Sequence, residues 1–269
     1  GAGGAVKRAA LALAAALLLQ IGCRTLPSQM VPLAAEDPRP EALLAGWTAR
    51  ADELRSLRGS ARVSLDGAHG ASFARQLLAL ERPARLRVEV LGLLNQRIAV
   101  LATDGERFDL YRSESGAVES GEIRPSVLWE VAGVPLTPEE AVAVLLGAPQ
   151  MERAGGEIAG AVESADAAVR FEIRGAELHW SVLEFDAQER LSGYQLAGPE
   201  GALFQARYRD YREVGGTLFA HRVELDFPFS EVHAEVKFGG VQLNPVLPES
   251  IFRLELPERV FSPPGESSE

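Results

Sequence analysis

The sequence is poor in the residues that bind metals. It has one cysteine, Cys23, in 269 residues, so no disulfide can form within the chain and no cysteine cage can hold a metal. The histidines lack the three- or four-residue spacing of a metal-binding helix; they are His69, His179, His221 and His233. His233 and Glu235 share one face of a predicted strand, which ordinary polar alternation on a solvated face explains. We therefore expect neither a metal nor another cofactor.

The signatures of covalent catalysis are also missing. No Gly-x-Ser-x-Gly motif is present, and Ser113 and Ser120 lie in charge-rich, turn-like sequence. The adjacent acids Glu139 and Glu140 fit the first turn of a helix better than a general acid and base pair. The glycine pairs form no phosphate-binding loop. These absences argue against an enzyme.

Long apolar runs are absent except at the N-terminus. Residues 9–19 are all alanine or leucine, which is shorter than the roughly 20 apolar residues that cross a bilayer. Lys7 and Arg8 precede this run, and a small residue, Gly22, ends it. A basic start, an apolar middle and a small residue before a cleavage point are typical of a secretory signal.

The residues around Cys23 resemble a bacterial lipobox. The cysteine directly follows Gly22, but Gln20 stands where the pattern prefers leucine, and Leu19 lies one position early. In this interpretation residues 1–22 are a lipoprotein signal peptide, and the Cys23 thiol and the new amino terminus are acylated. Two or three acyl chains suffice for stable membrane anchoring. The alternative is an ordinary signal with an incidental cysteine.

The charge balance excludes one class of partner. Removal of residues 1–22 takes away Lys7 and Arg8 and no acid, so the formal net charge goes from −11 to −13. Such a chain is repelled by phosphate backbones, and we expect no nucleic acid partner. A content of 46% hydrophobic and 24% charged residues is that of an ordinary globular domain.

The composition divides the chain into a tether, a domain and a tail. Residues 24–40 contain four prolines and little periodicity, which predicts a lipidated flexible tether over residues 23–39. A helical pattern then begins at Pro40 and is expected to end at Gly59 as a C-cap. The domain covers residues 40–261, and residues 262–269 form a polar, disordered tail.

The period of the apolar residues changes to two after Gly59. Ala61, Val63 and Leu65 alternate with polar residues, and the same alternation recurs to the end of the domain, for example at Val232, Ala234, Val236 and Phe238. One apolar and one solvated face indicate antiparallel sheet. Turn signals such as Asp66-Gly67 and Asp104-Gly105 separate about ten or eleven strands.

Two short helices interrupt the strands. Residues 125–131 and 138–146 have helical patterns, with Thr137 as N-cap, Pro138 at the first position and Gly147 after the end. The second helix is apolar over most of its surface, so another element must cover it. We predict a mainly β fold with α: an open antiparallel half-barrel with short helices packed in its concave side, plus an N-terminal helix.

Apolar residues exceed what one small sheet face needs. They would either close a core or line a cavity between sheet and helices that accepts an acyl chain. The candidates for cavity lining are Leu86, Val88, Val90, Ile98, Val100, Phe108, Leu110, Trp129, Leu145 and Phe171.

The segment 91–96 joins two strongly patterned strands and should form a hairpin turn. Its glycine and asparagine suit a turn, but Leu93 and Leu94 at the tip do not. Exposed aliphatic residues at a turn indicate insertion into a membrane or a partner. Alternatively, the tip folds back onto the body of the domain.

The order of these features resembles the LolB-like and LolA-like family of outer-membrane lipoprotein receptors and carriers. Five segments between residues 57 and 257 carry the resemblance. They are 57–63 (LRGSARV), 85–92 (RLRVEVLG), 102–108 (ATDGERF), 136–140 (LTPEE) leading to 145–147 (LLG), and 241–248 (VQLNPVLP) with Phe252 and 256–257.

The resemblance implies half-open β-barrels with helices in the concavity that handle the acyl chains of lipoproteins without catalysis. It implies that Leu93 and Leu94 contact the membrane. It also implies two kinds of partner, namely acylated lipoproteins or lipids, and a periplasmic carrier protein. Two strand-like segments between Ala165 and Phe185 make the chain longer than LolB and more similar to uncharacterised LolB-like lipoproteins.

Two functions remain open after this comparison. The first is an envelope lipoprotein that binds acyl chains and helps localise them to the outer membrane. The second is a scaffolding outer-membrane lipoprotein that binds an envelope protein complex, with its cavity filled by its own helices. Arg24 follows the lipidated cysteine in place of the aspartate that resembles an inner-membrane retention signal, which favours anchoring in the outer membrane, facing the periplasm.

Overall fold

A computed structural model describes residues 30–67, 70–149, 156–175 and 179–254. The expectations for the signal peptide 1–22, for Cys23, for His69 and for the tail 262–269 concern residues outside these ranges. None of the helices in the described ranges is long and apolar enough to cross a lipid bilayer.

The described residues form three α-helices, one short 3₁₀ helix and fourteen strands. The helices are α1 (Arg39–Glu53), α2 (Val127–Ala132), α3 (Pro138–Leu145) and the 3₁₀ turn (Glu249–Phe252). The strands are β1 (Val31–Pro32), β2 (Ser56–Asp66), β3 (Ser72–Glu81), β4 (Arg85–Leu91), β5 (Arg97–Thr103), β6 (Arg107–Arg112), β7 (Ala117–Glu122), β8 (Glu157–Glu163), β9 (Val169–Arg174), β10 (Trp180–Phe185), β11 (Leu191–Gly198), β12 (Gly201–Val214), β13 (Thr217–Phe227) and β14 (Val232–Leu243).

All fourteen strands belong to one antiparallel sheet that does not close. The strand order is β1-β8-β9-β10-β11-β12-β13-β14-β2-β3-β4-β5-β6-β7. The strands form two meanders, β2 to β7 and β8 to β14, which the pairing of β14 with β2 joins. In this pairing Leu243 lies opposite Leu57 and His233 opposite Asp66. The predicted fold class, an open half-barrel with short helices, is confirmed.

The sheet has more strands than the ten or eleven expected from alternation. β1 has two residues and lies within the stretch assigned to the tether, where it pairs with Glu163 and Val162 of β8. The edge strand β7 has the sequence AVESGE, which lacks a regular apolar face. Strands of both kinds leave little periodic signal. The strand-like segments predicted between Ala165 and Phe185 are β9 and β10.

The helix–strand boundary near residue 59 was predicted wrongly. Helix α1 ends at Glu53, and Leu54 after it has an extended backbone. Gly59 lies inside β2, at the level of an irregularity between Phe238 and Val241 of β14. A Cβ on Gly59 would lie 2.5 Å from the carbonyl oxygen of Gly240. The glycine therefore allows close approach of two strands instead of capping a helix.

The predicted start of α3 is confirmed in detail. The Thr137 hydroxyl accepts a hydrogen bond from the Glu140 backbone N–H at 3.2 Å, and the Glu140 carboxylate accepts one from the Thr137 N–H at 2.8 Å. This capping box satisfies two donors at the helix start. Val142 and Val144 are fully buried, and Tyr208 of β12 donates a hydrogen bond to the Val144 carbonyl at 3.1 Å. Helix α3 is thereby held against the sheet.

The C-terminal segment, residues 244–254, covers part of the convex face of strands β3 to β6. Phe252 is completely buried and packs with Leu247 against Ala79 of β3. Arg87 donates a hydrogen bond to the Ile251 carbonyl at 2.8 Å, and Asp109 accepts one from the Leu254 N–H at 2.9 Å. The segment therefore covers the part of the convex face around Ala79, Arg87 and Asp109.

Candidate functional site

A cavity of about 640 Å³ lies between the sheet and helices α2 and α3. Strands β2 to β6, β13 and β14 form its wall, and α2, α3 and their connection form the other side. Its volume is within the range of about 300–1,000 Å³ that is usual for small-molecule sites. The lining residues are Val63, Leu65, Gly67, Gly70, Ser72, Phe73, Ala74, Gln76, Leu78, Leu86, Val88, Val90, Ile98, Ala99, Leu101, Leu110, Leu128, Trp129, Glu130, Val131, Ala132, Gly133, Val134, Leu136, Ala141, Leu145, Leu225, Val232, Ala234 and Val236.

Seven of the ten cavity candidates named from the sequence lie in this lining. They come from β4, β5, β6, α2 and α3, and are Leu86, Val88, Val90, Ile98, Leu110, Trp129 and Leu145. Leu86 and Val88 of β4 lie opposite Thr103 and Leu101 of β5, so the inward face of the sheet continues from strand to strand. Alternation along each strand places these side chains on the concave face.

Val100 does not line the cavity because of a bulge in β5. Val90 lies opposite Ala99 and Leu91 opposite Arg97, which leaves Ile98 without a partner in β4. Ile98 and Ala99 both border the cavity, and Val100 lies opposite Glu89 on the other face. A one-residue irregularity shifts the parity of the strand, and sequence alternation does not reveal it.

Phe108 and Phe171 are buried in closed parts of the core. The Phe108 ring packs against Gly121 of β7, and a Cβ on Gly121 would lie only 2.9 Å from the Phe108 ring. The Arg124 guanidinium lies 5.4 Å from the centre of the same ring. Phe171 stacks on Phe185 at 5.7 Å in the other half of the sheet. Both side chains therefore belong to a closed core, which was the alternative to lining a cavity.

The lining also includes residues that were not among the candidates. Val63 and Leu65 of β2 and Val232, Ala234 and Val236 of β14 form the central part of the wall. Their alternation is visible in the sequence. What the sequence does not reveal is the pairing of β14 with β2, which joins segments about 170 residues apart. Local periodicity gives the face of a strand but not its neighbours.

The polar side chains in the lining are few: Ser72, Gln76 and Glu130. Glu130 on α2 is exposed and accepts hydrogen bonds from the Ser126 hydroxyl at 2.7 Å and from Arg124 at 2.6 Å. The Ser126 hydroxyl, followed by the Arg124 guanidinium, holds the pKa of Glu130 below its ordinary value. The remainder of the lining is almost entirely aliphatic. Such a surface can bind an apolar chain, with few polar groups to orient it.

The β4–β5 hairpin carries two exposed leucines. Leu93 is 102% exposed and Leu94 is 88% exposed, so the tip does not fold back onto the domain. The turn is well defined: Gly92 N–H donates to the Gln96 carbonyl at 2.8 Å, and Leu94 N–H donates to the Gln96 side chain at 2.9 Å. Arg75 of β3 donates to the Asn95 side chain at 2.7 Å. The leucines therefore project from an ordered loop.

The cavity reaches the end of the sheet that carries this loop. Neighbouring antiparallel strands alternate in direction, so the β13–β14, β2–β3, β4–β5 and β6–β7 turns lie at the same end. Gly67, Gly70 and Phe73 at the β2–β3 turn border the cavity, and Phe73 is 67% exposed. Phe229 in the β13–β14 turn is 60% exposed. We call Phe73, Leu93, Leu94 and Phe229 the apolar rim.

No group of three or more potential metal ligands lies together within the described residues. His233 contacts Asp226 at 2.7 Å, an exposed pair on the convex face. Buried His221 contacts the Phe219 carbonyl at 3.1 Å and does not border the cavity.

These features define a class of protein: an open antiparallel half-barrel with an aliphatic cavity under short helices and an apolar rim at one end. Solved structures share this fold. A LolA superfamily protein from Nitrosomonas europaea superposes with a TM-score of 0.54 at 14% identity, covering 78% of this chain and 97% of that chain. A putative outer membrane lipoprotein-sorting protein domain from Vibrio parahaemolyticus gives 0.52 at 11% identity, covering 78% and 94%.

A third structure, a DUF1329 family protein from Desulfovibrio piger, gives a TM-score of 0.52 at 8% identity and covers 81% of this chain and 98% of that chain. No protein-family model matches the chain, and no curated protein matches it by sequence. At these low identities the likeness concerns the fold.

Proposed function

We propose that this protein is an envelope lipoprotein of the LolB-like kind that binds acyl chains of other lipoproteins, or a similar amphiphile, in the cavity. It helps to localise them to the outer membrane, and no bond is made or broken. Cys23 carries the lipid anchor, the domain faces the periplasm, and a periplasmic carrier protein delivers the client. The observation that supports this most is the aliphatic cavity of about 640 Å³ that remains beneath α2 and α3.

The composition of the cavity favours an acyl chain over a polar ligand. Its wall is made mainly of Val, Leu, Ile and Ala side chains from seven strands, with Ser72, Phe73 and Gln76 of β3 among them. Burial of methylene groups stabilises the complex by about 0.8 kcal/mol per group, and few polar groups of the wall would lose water. Shape selectivity would be low, because aliphatic side chains offer few directional contacts.

The position of the apolar rim supports transfer to a membrane. Leu93 and Leu94 project at the end of the sheet to which the cavity extends, together with Phe73 and Phe229. An acyl chain that leaves the cavity at this end would meet the bilayer contacted by the rim. We assign membrane contact to Leu93 and Leu94.

The scaffold alternative depends on a cavity that the protein's own helices fill. Helices α2 and α3 do pack under the sheet, but space remains between them and β2 to β6. This alternative therefore has less support than the carrier.

A displacement assay tests the carrier function. The chain from Arg24 onward keeps every described residue, and a fluorescent fatty acid serves as ligand. Val90→Trp adds an indole on the cavity wall, and we expect it to reduce uptake by roughly tenfold or more, because the added volume occupies the binding space.

Leu77→Trp is the matched control. Leu77 lies on β3 next to β4, opposite Glu89, outside the cavity lining. It should bind as the unchanged protein does. Equal uptake by the Val90 and Leu77 variants, both folded by circular dichroism, would contradict binding in this cavity.

A further inference from the structure

A row of five basic residues crosses the convex face of the sheet. Arg209 of β12 lies opposite Arg222 of β13, Arg222 opposite Lys237 of β14, Lys237 opposite Arg62 of β2, and Arg62 opposite Arg75 of β3. Like charges directly opposite in a sheet are destabilising. The charge of this row is opposite in sign to the net charge of the chain, which is −11. Such a row destabilises the sheet unless anions neutralise it.

Carboxylates of the protein compensate this row only in part. Glu224 pairs with Arg209 at 3.6 Å and with Arg222 at 2.9 Å, and Glu235 pairs with Arg222 at 2.5 Å and with Lys237 at 2.6 Å. Arg75 binds the neutral Asn95 side chain at 2.7 Å. Within the described part of the chain, the Arg62 side chain forms no hydrogen bond or ion pair.

A second donor of the row is also left over. The Nε of Arg222 is buried and has no acceptor among the described residues. Buried polar atoms without a partner are few in folded proteins, and each calls for an explanation such as an absent ion. Arg62 on β2 and Arg222 on β13 both lie opposite Lys237 on β14, the strand between them.

The same residues surround a depression of about 380 Å³. Its lining consists of five basic residues, His221, Phe238 and a single carboxylate, Asp210; the basic residues are Arg62, Arg209, Arg212, Arg222 and Lys237. Arg212 binds Asp210 at 2.6 Å. The β13–β14 ladder ends at the Arg222–Lys237 pair although both strands continue. The β12–β13 ladder is interrupted beside Asp210. The depression therefore lies where neighbouring strands separate.

The shape and charge fit a small oxyanion. Guanidinium groups present several N–H donors in a planar fork that matches the oxygens of phosphate. A concave site lined by converging guanidinium groups suits a compact anion better than the surface of an acidic protein. Val63 and Val236, the neighbours of Arg62 and Lys237, line the acyl cavity on the opposite face. The anion is therefore a different ligand from the acyl chain.

We propose that the convex-face depression lined by Arg62, Arg209, Arg222 and Lys237 is a binding site for a phosphate-type anion. This anion is either a free phosphate or the phosphate of a lipid headgroup. The site is independent of the acyl cavity, since the sheet separates the two.

Isothermal titration calorimetry with inorganic phosphate tests the site on the chain from Arg24 onward. Arg62→Gln removes the exposed, unpaired guanidinium, and we expect about fivefold weaker binding. Arg207→Gln is the matched control, because Arg207 is on β12 outside the depression and pairs with Asp226 at 3.2 Å. The control should change binding by less than about twofold. Glu235→Gln, which removes a competing carboxylate, should tighten binding.

Co-sedimentation with vesicles distinguishes the two sources of phosphate. Association that rises when phosphatidylglycerol is added to phosphatidylcholine, and that falls in Arg62→Gln but not in Arg207→Gln, assigns the site to a headgroup. Phosphate binding without this difference assigns it to a soluble anion. The site is refuted if the unchanged protein binds neither, or if the Arg62 and Arg207 variants lose binding equally. Thermal melting shows that each variant is folded.

Discussion

The two halves of the sheet close their concave faces differently. In β9 to β13 aromatic rings meet each other: Phe171 stacks on Phe185 at 5.7 Å, and Phe204 contacts Tyr194 at 5.6 Å and Phe227 at 6.0 Å. In β2 to β6 the inward residues are mostly Val, Leu and Ala, and a cavity remains. We call these the aromatic half and the aliphatic half.

The difference shows how side-chain size decides whether one architecture forms a core or a binding site. An aromatic side chain buries about 150–250 Å² and fills the depth between sheet and opposing elements. Valine and alanine do not reach that far, so the same strand spacing leaves space. Phe108, the aromatic residue of β6, packs against Gly121 at a place where the cavity does not extend.

The largest expected effect comes from removing a ring of the aromatic half. Phe185→Ala should lower the free energy of unfolding by about 3–5 kcal/mol, because Phe185 is fully buried and the cavity left behind adds to the lost burial. Phe73→Ala makes the same chemical change in the aliphatic half. It should cost less than about 1 kcal/mol, since Phe73 is largely exposed. Urea denaturation measures both, and equal losses would contradict the distinction between the halves.

A smaller effect is expected at the apolar rim, on membrane association. Leu93→Glu with Leu94→Glu should weaken binding to phosphatidylcholine vesicles by roughly a hundredfold, because two leucines no longer enter the bilayer. Stability should stay within about 0.5 kcal/mol, as both side chains are exposed.

The control for the rim lies at the other end of the sheet. Leu218, beside the β12–β13 turn, and Val246, after β14, are also exposed aliphatic residues. Leu218→Glu with Val246→Glu adds the same two charges and should leave vesicle binding nearly unchanged. If both pairs reduced binding equally, charge and not the rim would be responsible.

The smallest effect concerns Asp104 in the β5–β6 turn of the aliphatic half, which pairs with Arg253 of the C-terminal segment. Burial alone would raise the pKa of Asp104, but the backbone N–H groups of Arg107 and Glu106 and the Arg253 guanidinium outweigh it and hold the pKa below its ordinary value. The stabilisation is therefore present above the unfolded pKa and is lost as pH falls through the folded pKa.

Asp104→Asn should remove this pH dependence at a cost below about 1 kcal/mol near neutral pH, because the pair is close to the surface. Unfolding curves between about pH 2 and pH 6 measure it. An unchanged slope of stability against pH in the variant would show that Asp104 does not contribute through its charge.

Local patterns in the sequence predict much of this fold. Alternation identifies the long strands, and Thr137, Pro138 and Glu140 identify the start of α3, because these signals arise from neighbouring residues. Gly59 was misassigned because its role depends on Gly240, which is distant in sequence. The same limit explains why the β14–β2 pairing, and with it the central cavity wall, could not be predicted.

The candidate site was predictable to a similar extent. Leu86, Val88, Val90 and Leu110 follow from strand parity, and Trp129 and Leu145 lie on helices α2 and α3. Ile98 and Val100 have the same parity in the sequence, but the bulge at Ile98 brings only Ile98 to the cavity. Phe171 lies outside the cavity lining for another reason. It has the inward parity but stacks on Phe185, and only the tertiary structure shows that this half of the sheet is filled.

Native mass spectrometry of the chain from Arg24 onward, purified gently from an envelope extract, is the most direct test of acyl-chain binding in the cavity. If the protein is a carrier, we expect a bound acyl mass that a lipidated peptide displaces and that is absent from Val90→Trp but present in Leu77→Trp. A ligand-free mass, with no uptake when lipid or lipidated peptide is offered, would contradict the carrier function and leave the scaffold.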